Sequence, residues 1–133
     1  MNLSPGSFDR YSGLFIERTM KLLVAVIPPD RLESVKNQLS AVEVFRLTVM
    51  DVQGFGTPKT NPENKSREAE MKMTRRVQLL IGVNEEFLEP TIEAIRRGTS
   101  IDGNDDELDG KIFILPLHDC IRIRTGEHGS DAI

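Results

Sequence analysis

Apolar residues run almost without interruption through residues 21–27, and the run ends at a pair of prolines, Pro28 and Pro29. Consecutive apolar positions over this length are typical of a strand that is covered on both faces. Beyond the prolines, apolar residues recur at helical spacing, and Asp30 and Glu33 have the spacing of a capping box, so the pattern predicts a helix with one buried face. The residues on that face are Leu32, Val35, Leu39 and Val42.

The next segment, residues 44–53, alternates between apolar and polar positions, which predicts a half-exposed strand. One side of it carries Phe45, Leu47 and Val49, and the other side carries Arg46, Thr48 and Met50. From Gly54 to about Arg75 the chain is polar, contains two prolines and shows no period. This stretch is interpreted as a long loop, and loops of this length inside a small domain are usually functional.

A third strand is predicted over residues 77–83, where the apolar run resumes. The helix after it has Asn84 as a candidate cap. Its apolar face carries Leu88, Ile92 and Ile95. Pro90 would remove a backbone hydrogen bond to the carbonyl of Glu86, so this helix is expected to begin irregularly or to bend in its early turns.

Gly98 is predicted to end the second helix, residues 102–109 to form an acidic loop, and residues 111–115 to form a fourth strand. The order βαββαβ is the ferredoxin-like arrangement, an α+β fold. A short fifth strand is predicted over residues 119–124. One face of a lone ferredoxin-like sheet has no helices, so the pattern also predicts an oligomer that covers it.

Composition limits the classes of protein to which the chain can belong. Its 133 residues, 38% of them apolar, suffice for one core. The net charge of -4 argues against general nucleic-acid binding, and no segment is suited to direct insertion into a membrane. The single cysteine, Cys120, allows no internal disulfide, which fits a reducing cytoplasm. His118 and His128 are too scattered to complete a metal site with it.

Basic side chains in the C-terminal segment are the candidate chemistry. On the predicted fifth strand, Arg122 and Arg124 would leave from one face while Ile121 and Ile123 take the other. Arginine forks suit phosphate oxygens, and Lys111 would add a point charge, so the pattern favours a polyphosphate site. A basic edge strand that discourages aggregation is the alternative.

Three segments resemble the PII signal-transduction family, the small trimeric nucleotide sensors of bacteria, archaea and plastids. Gly54, Phe55 and Gly56 are similar to the start of the family's long T-loop. Residues 108–113 are similar to its B-loop, with leucine in place of the first glycine, and residues 122–127 to its C-loop. The resemblance implies a homotrimer of ferredoxin-like domains with nucleotide bound in the clefts between neighbouring subunits.

The resemblance covers residues 20–133, so residues 1–19 are expected to be an N-terminal extension. They lack the basic start and the apolar core of a signal peptide, and their glycine, serine and aspartate content favours a loop or disorder. Three interpretations stay open: an artefact of the assigned start site, a disordered tail, or an added segment that packs on the trimer.

The resemblance also assigns the nucleotide-binding residues. They are Thr48, Gly54, Phe55, Gly56, Gly110, Lys111, Arg122 and Arg124. Thr48 is implied to contact adenine, Gly110 and Lys111 to meet the phosphates, and the two arginines to reach across from the adjacent subunit. Glycine lets backbone N–H groups approach an anion, and arginine and lysine neutralise it.

The chain departs from the family directly after the GFG segment. Typical members carry arginine and glutamine there, and the glutamine completes a magnesium site that captures 2-oxoglutarate. This chain has Thr57 and Pro58, and proline offers no side-chain oxygen, which puts 2-oxoglutarate binding by that route in doubt. ATP, ADP and AMP stay candidate ligands, magnesium a candidate bridging cation, and bicarbonate a candidate small anion that Lys59 could contact.

Acidic residues crowd the predicted B-loop, namely Asp102, Asp105, Asp106, Glu107 and Asp109. If they face the cleft, they repel a triphosphate, which would favour ADP or AMP or demand a bridging cation. If they point into water, they form a solvated loop without effect on the ligand.

The predicted T-loop, residues 57–76, holds six basic and three acidic residues in a protein that is acidic overall. Such a loop could dock on an acidic partner, or it could be a solvated loop with no partner. The one tyrosine of the chain, Tyr11, lies outside this loop, so regulation by tyrosine uridylylation is not expected.

These features lead to the hypothesis of a non-enzymatic, homotrimeric adenine-nucleotide sensor. Through its T-loop it would regulate an unidentified target protein: a transporter, an enzyme or a regulator. A carbon-related sensor that reads ADP or AMP with bicarbonate is the alternative within the family. No P-loop or nucleophile elbow supports catalysis. A slow ATP hydrolase and a ligand-free interaction scaffold are the alternatives from other classes.

Overall fold

The computed structural model describes residues 19–55, 73–100 and 110–133. Its strands and helices follow in the order β1 (Met20–Ile27), α1 (Leu32–Ala41), β2 (Thr48–Phe55), β3 (Met73–Asn84), α2 (Leu88–Thr99) and β4 (Lys111–Leu117). The strands form one antiparallel sheet in the order β2-β3-β1-β4. This confirms the predicted ferredoxin-like arrangement.

The core lies between one face of the sheet and the two helices. Leu23 of β1 lies opposite Ile81 of β3, and both side chains are fully buried. Val35 and Leu39 of α1 and Ile95 of α2 pack over this sheet face. The apolar faces predicted for both helices are therefore confirmed. Among the described residues, neither helix is long and apolar enough to cross a membrane.

Both helices begin with a 3-10 turn instead of a side-chain cap. Pro29–Arg31 precedes α1, and Glu85–Phe87 precedes α2. The capping roles predicted for Asp30 and Asn84 are wrong, because no side-chain hydrogen bond caps either turn or either helix. The irregular start predicted for the second helix is confirmed. Pro90 lies in the first turn of α2, where a backbone N–H has no partner inside the helix.

The prediction that Gly98 ends the second helix is wrong. Gly98 lies buried within the last turn of α2. A Cβ atom at Gly98 would lie 2.5 Å from the Cα of Val35 in α1, a distance that no side chain tolerates. Glycine therefore allows the two helices to pack backbone against backbone. The helix ends one residue later, at Thr99.

β2 begins and ends later than predicted. Val44 leaves the strand because its N–H bonds to the carbonyl of Leu39 at 2.9 Å, which brings its side chain into the core next to α1. At its other end β2 continues through Phe55, since residues 53–55 pair with residues 73–75 of β3. Several of the paired residues are polar, so alternation of apolar and polar positions does not predict that the strands extend this far. The loop predicted from Gly54 to about Arg75 is therefore too long at both ends.

The other face of the sheet has no helix over it in the described part of the chain. Apolar side chains that are half-buried or exposed lie on this open face in all four strands. They are Leu22, Val24, Val26, Met50, Val52, Leu80, Phe113 and Leu115. The prediction that the first strand is covered on both faces is not met within one chain. An apolar face of this kind is typical of a protein–protein interface.

Gly98→Ala is expected to lower the free energy of unfolding by about 1–3 kcal/mol, the cost of overpacking a filled core. The added methyl group would collide with the backbone of Val35, so the two helices would have to separate. Gly82→Ala is the matched control, because a Cβ there would lie 3.6 Å from Leu117, an ordinary contact. Urea unfolding at one protein concentration measures both variants. Equal stability of the two would contradict the close helix approach.

Candidate functional site

Gly110 and Lys111 lie at the end of the sheet where β1 finishes and β4 begins. Lys111 pairs with Val26. A Cβ atom on Gly110 would lie 2.9 Å from the carbonyl oxygen of Val26, so a larger residue would force the backbone to shift. The close approach of the two strands is thus a structural reason for this glycine that does not depend on a ligand.

Gly54 and Phe55 lie at the same end of the sheet, on the opposite edge strand. β3 and β1 separate them from β4 by three strand spacings, roughly 14 Å in a flat sheet. Thr48 begins β2, roughly 20 Å before Gly54 along the strand. Two further predicted residues, Gly56 and Lys59, lie outside the described residues, as do the acidic residues of the predicted B-loop.

Arg122 and Arg124 lie at the other end of the sheet. β4 ends at Leu117, which pairs with the first residue of β1 and lies roughly 20 Å along the strand from Lys111. The segment after Leu117 is hydrogen-bonded to the last residue of β3, at that same end. Within one chain, the structure therefore keeps Lys111 and the two arginines apart.

A turn, and not the predicted fifth strand, occupies residues 119–124 and their surroundings. A single bridge joins Ile121 to His128, and the N–H of Gly126 donates to the carbonyl of Arg122 at 2.7 Å. Gly126 has φ 75°, in the left-handed region that favours glycine, so the chain reverses where alternation predicted a strand. The two arginines accordingly leave from a turn and do not share a strand face.

Three of the predicted cations are free to bind an anion. In the described part of the chain, the side chains of Lys111, Arg122 and Arg124 have no hydrogen-bond or ion-pair partner. Their charges do not hold the fold together, and each can donate charge-assisted hydrogen bonds to a phosphate.

A cavity of about 640 Å³ borders Gly110 and Lys111 on the helix side of the sheet. Its lining includes the apolar residues Ile27, Ile95 and Ile112 and the polar residues Glu93, Arg96, Arg97, Thr99 and Ser100. The volume falls in the range of small-molecule sites. Sequence patterns gave no signal for Arg96 and Arg97, because they resemble the solvent-exposed side of any amphipathic helix. Arg96 is ion-paired with Glu93 at 3.3 Å.

Asp119 organises the C-terminal turn, although no sequence motif points to it. Its Oδ1 accepts hydrogen bonds from the N–H of Cys120 at 2.8 Å and of Gly129 at 3.1 Å. Its Oδ2 lies 3.1 Å from Nδ1 of His128. The hydrogen bond with His128, followed by that with Cys120, holds the pKa of the Asp119 carboxyl below its ordinary value. His128 and Gly129 are 9 and 10 residues away from Asp119 along the chain, so only the folded structure reveals the cluster.

Sequence comparison places the chain among nitrogen regulatory proteins. A family model described as nitrogen regulatory protein P-II matches residues 20–127. Nitrogen regulatory protein GlnK1 of Methanosarcina mazei is 47% identical over 116 residues, which cover 86% of this chain and 97% of that protein. Nitrogen regulatory protein P-II 1 of Methanothermobacter thermautotrophicus is 39% identical over 87% of this chain and 99% of its own length.

Two solved structures share the fold. A crystal structure of Arabidopsis thaliana PII bound to citrate matches with a TM-score of 0.70 and 32% identity, covering 88% of this chain and 94% of that one. A structure of the B. subtilis GlnK–ATP complex matches with a TM-score of 0.69 and 28% identity, covering 86% and 98%.

The hydrogen bonds of Asp119 are expected to keep their full strength at neutral pH and to weaken on acidification below about pH 4, where the carboxylate becomes a neutral acid. A lowered pKa in the folded chain means that its stabilisation is complete above the unfolded-state pKa and disappears as the pH falls through the folded-state pKa. Amide NMR shifts of Cys120 and Gly129 during an acid titration measure this. Asp119→Asn should abolish the change in that window, and its persistence in this variant would contradict the assignment.

Proposed function

Because this chain belongs to the nitrogen regulatory protein P-II family, we propose that it is a homotrimeric, non-enzymatic signal-transduction protein that binds adenine nucleotides and regulates a target protein. The relatives are named as regulatory proteins, which supports regulation over catalysis. The GlnK–ATP complex among the matched structures supports ATP as a ligand. The single cysteine supports a cytoplasmic location.

The position of the unpaired cations carries the proposal. Lys111 lies at one end of the sheet, and Arg122 and Arg124 lie at the other. In a ring of identical copies, the C-terminal turn of one subunit can approach the Lys111 end of its neighbour. The three charges then converge on one polyphosphate, and the nucleotide lies in the cleft between subunits. A cleft of this kind uses charges that have no side-chain partner within the described residues of one chain.

The open face of the sheet supplies a surface for the trimer. Phe113 and Leu115 are 52% and 43% exposed in the single chain, beside the half-buried apolar residues of β1. Burying this face at the centre of a trimer removes apolar area from water, which favours assembly. It also covers β1 on its second face, as the nearly continuous apolar run of residues 21–27 predicts.

The T-loop is the segment proposed to convey the bound nucleotide to the target protein. β2 ends at Phe55 and β3 begins at Met73, so both ends of the loop are anchored at the sheet end where Lys111 lies. A change of nucleotide there can favour one loop conformation over another, provided that the ligand binds the two states with different affinity. Basic residues exceed acidic ones over residues 57–76, which fits an acidic surface on the target protein, and two of the basic residues, Arg75 and Arg76, lie in β3 at the base of the loop.

Calorimetric titration with ATP and with ADP is the direct test of the ligand. Each titration is repeated with magnesium plus 2-oxoglutarate and then with bicarbonate. ATP binding strengthened by 2-oxoglutarate would mean that another residue replaces the glutamine absent at Pro58. A preference for ADP or AMP that bicarbonate strengthens would favour the carbon-related alternative, and the absence of all binding would leave an interaction scaffold. Phosphate release that depends on Lys111 would support a hydrolase.

Lys111→Ala and Arg122→Ala are each expected to weaken nucleotide binding by about 1.5–3 kcal/mol, because each removes a charge-assisted hydrogen bond to phosphate. Lys36→Ala is the control for loss of a positive charge, since Lys36 is exposed on α1 and paired with Glu33 at 3.3 Å. Calorimetry measures the affinities. Unchanged affinity in both site variants would count against the assigned residues.

Mixing the two variants tests whether neighbouring subunits share the site. In a mixed trimer, a Lys111→Ala subunit still supplies Arg122, and an Arg122→Ala subunit still supplies Lys111. Random assembly after co-refolding of equal amounts is expected to restore about a quarter of the sites to wild-type affinity. A site built within one chain gives no restored sites, so calorimetry that finds none would refute the shared cleft.

A further inference from the structure

Asp119 lies at the neck of the turn that carries Arg122 and Arg124. The chain enters this turn through Cys120 and leaves it through Gly129, and the N–H of Gly129 donates to the carbonyl of Cys120 at 2.9 Å. The two segments of the neck are therefore in direct contact. Asp119 is the side chain placed to hold them together.

The two carboxylate oxygens of Asp119 have separate roles. Oδ1 accepts one N–H from each side of the neck, that of Cys120 and that of Gly129. Oδ2 meets the ring of His128, whose backbone bridges to Ile121 across the turn. One side chain thus joins two backbone N–H groups and the ring of His128, and hydrogen bonds to an ionised group are stronger than neutral ones.

Within the described residues, few other side chains attach the turn to the sheet. None of residues 121–128 is buried, and Ile123 is fully exposed. The backbone hydrogen bonds inside the turn set its shape, but they do not attach it to the core. Attachment begins at the neck, where Gly129 is buried, and continues to the buried Ala132. At this neck the backbone hydrogen bond between Gly129 and Cys120 and the side chain of Asp119 join the two ends of the turn.

We propose that Asp119 and His128 are positioning residues for the nucleotide site. We call the hydrogen bonds of Asp119 with His128, Cys120 and Gly129 the clasp. The clasp orients Arg122 and Arg124 toward the phosphates that the adjacent subunit binds. The inference rests on the proposed function, because the arginines can only be aimed at a nucleotide that binds there. If the turn is already ordered before binding, the free energy of binding does not include the entropy cost of ordering it. Neither clasp residue has to touch the nucleotide.

Calorimetry with ATP tests the clasp. Asp119→Ala is expected to weaken binding about tenfold, because the arginines must then be ordered on binding. Asp119→Asn keeps an Oδ1 acceptor for both backbone N–H groups and should stay within about threefold of the wild type. His128→Ala should fall between them. Asp131→Ala is the control, since Asp131 is an exposed carboxylate of the same C-terminal segment without a hydrogen bond in the described chain.

A double-variant comparison separates positioning from general stability. In a chain that already carries Arg122→Ala and Arg124→Ala, the further change Asp119→Ala should leave the remaining ATP affinity unchanged, because its effect passes through the arginines. A residue that only stabilises the fold would weaken binding in either background. The same further loss in both backgrounds would overturn the clasp.

Limited digestion with trypsin tests the clasp without nucleotide. Cleavage after Arg122 and Arg124, identified by mass, should be faster in Asp119→Ala than in the wild type or in Asp131→Ala, because a released turn opens more often. Equal cleavage rates would overturn the inference, even if Asp119→Ala binds ATP weakly for another reason.

The outcomes distinguish this inference from the proposed function. If the wild type binds neither ATP nor ADP, the proposed function fails and the clasp fails with it. If the wild type binds and Lys111→Ala does not, the nucleotide site stands, and wild-type affinity in Asp119→Ala then overturns the clasp alone.

Discussion

Two helices cannot cover both faces of a four-stranded sheet, and this imbalance governs the rest of the structure. α1 and α2 pack on one face and approach each other so closely that only glycine fits at position 98. The other face has apolar side chains in every strand, and no helix of the described residues lies over them. Since burial of apolar area is the main favourable term in association, this face favours a complex with further copies of the chain. The proposed nucleotide site obtains its second half from that association.

The distribution of charge follows from the same sheet. β4 is extended, so a cation at its start and a turn after its end lie far apart within one chain. Separation limits repulsion between Lys111 and the two arginines of the same chain. In the proposed trimer, assembly brings Lys111 close to the arginines of a neighbouring subunit, and a bound polyphosphate balances their charge. Binding and assembly thereby depend on the same surfaces.

Different parts of the candidate site are positioned by different physical means. Gly110 is held by the close approach of β4 to β1, where a side chain has no room. The arginine turn has no buried residue between positions 121 and 128, and it is held by backbone hydrogen bonds and by the side chain of Asp119. Paired strands thus support one half of the site, and we propose that Asp119 helps to orient the other half. Binding residues on loops that a rigid scaffold supports are a common solution in proteins.

The sequence by itself determined the order of the four strands and two helices up to Leu117, because apolar spacing shows which side of each element faces the core, as at Val35 and Leu39. The fifth strand that the same alternation predicted over residues 119–124 is a turn. The sequence also identified Lys111, Arg122 and Arg124 as candidate phosphate-binding residues, since the positive charge of each is a property of the residue type and does not depend on its neighbours. Only the tertiary structure decided what depends on distant partners or on one backbone angle. The pairing of residues 53–55 with 73–75, the contact of Gly98 with Val35 and the reversal at Gly126 belong to this group. So does the cluster around Asp119, whose partners meet only after folding brings the two sides of the turn together.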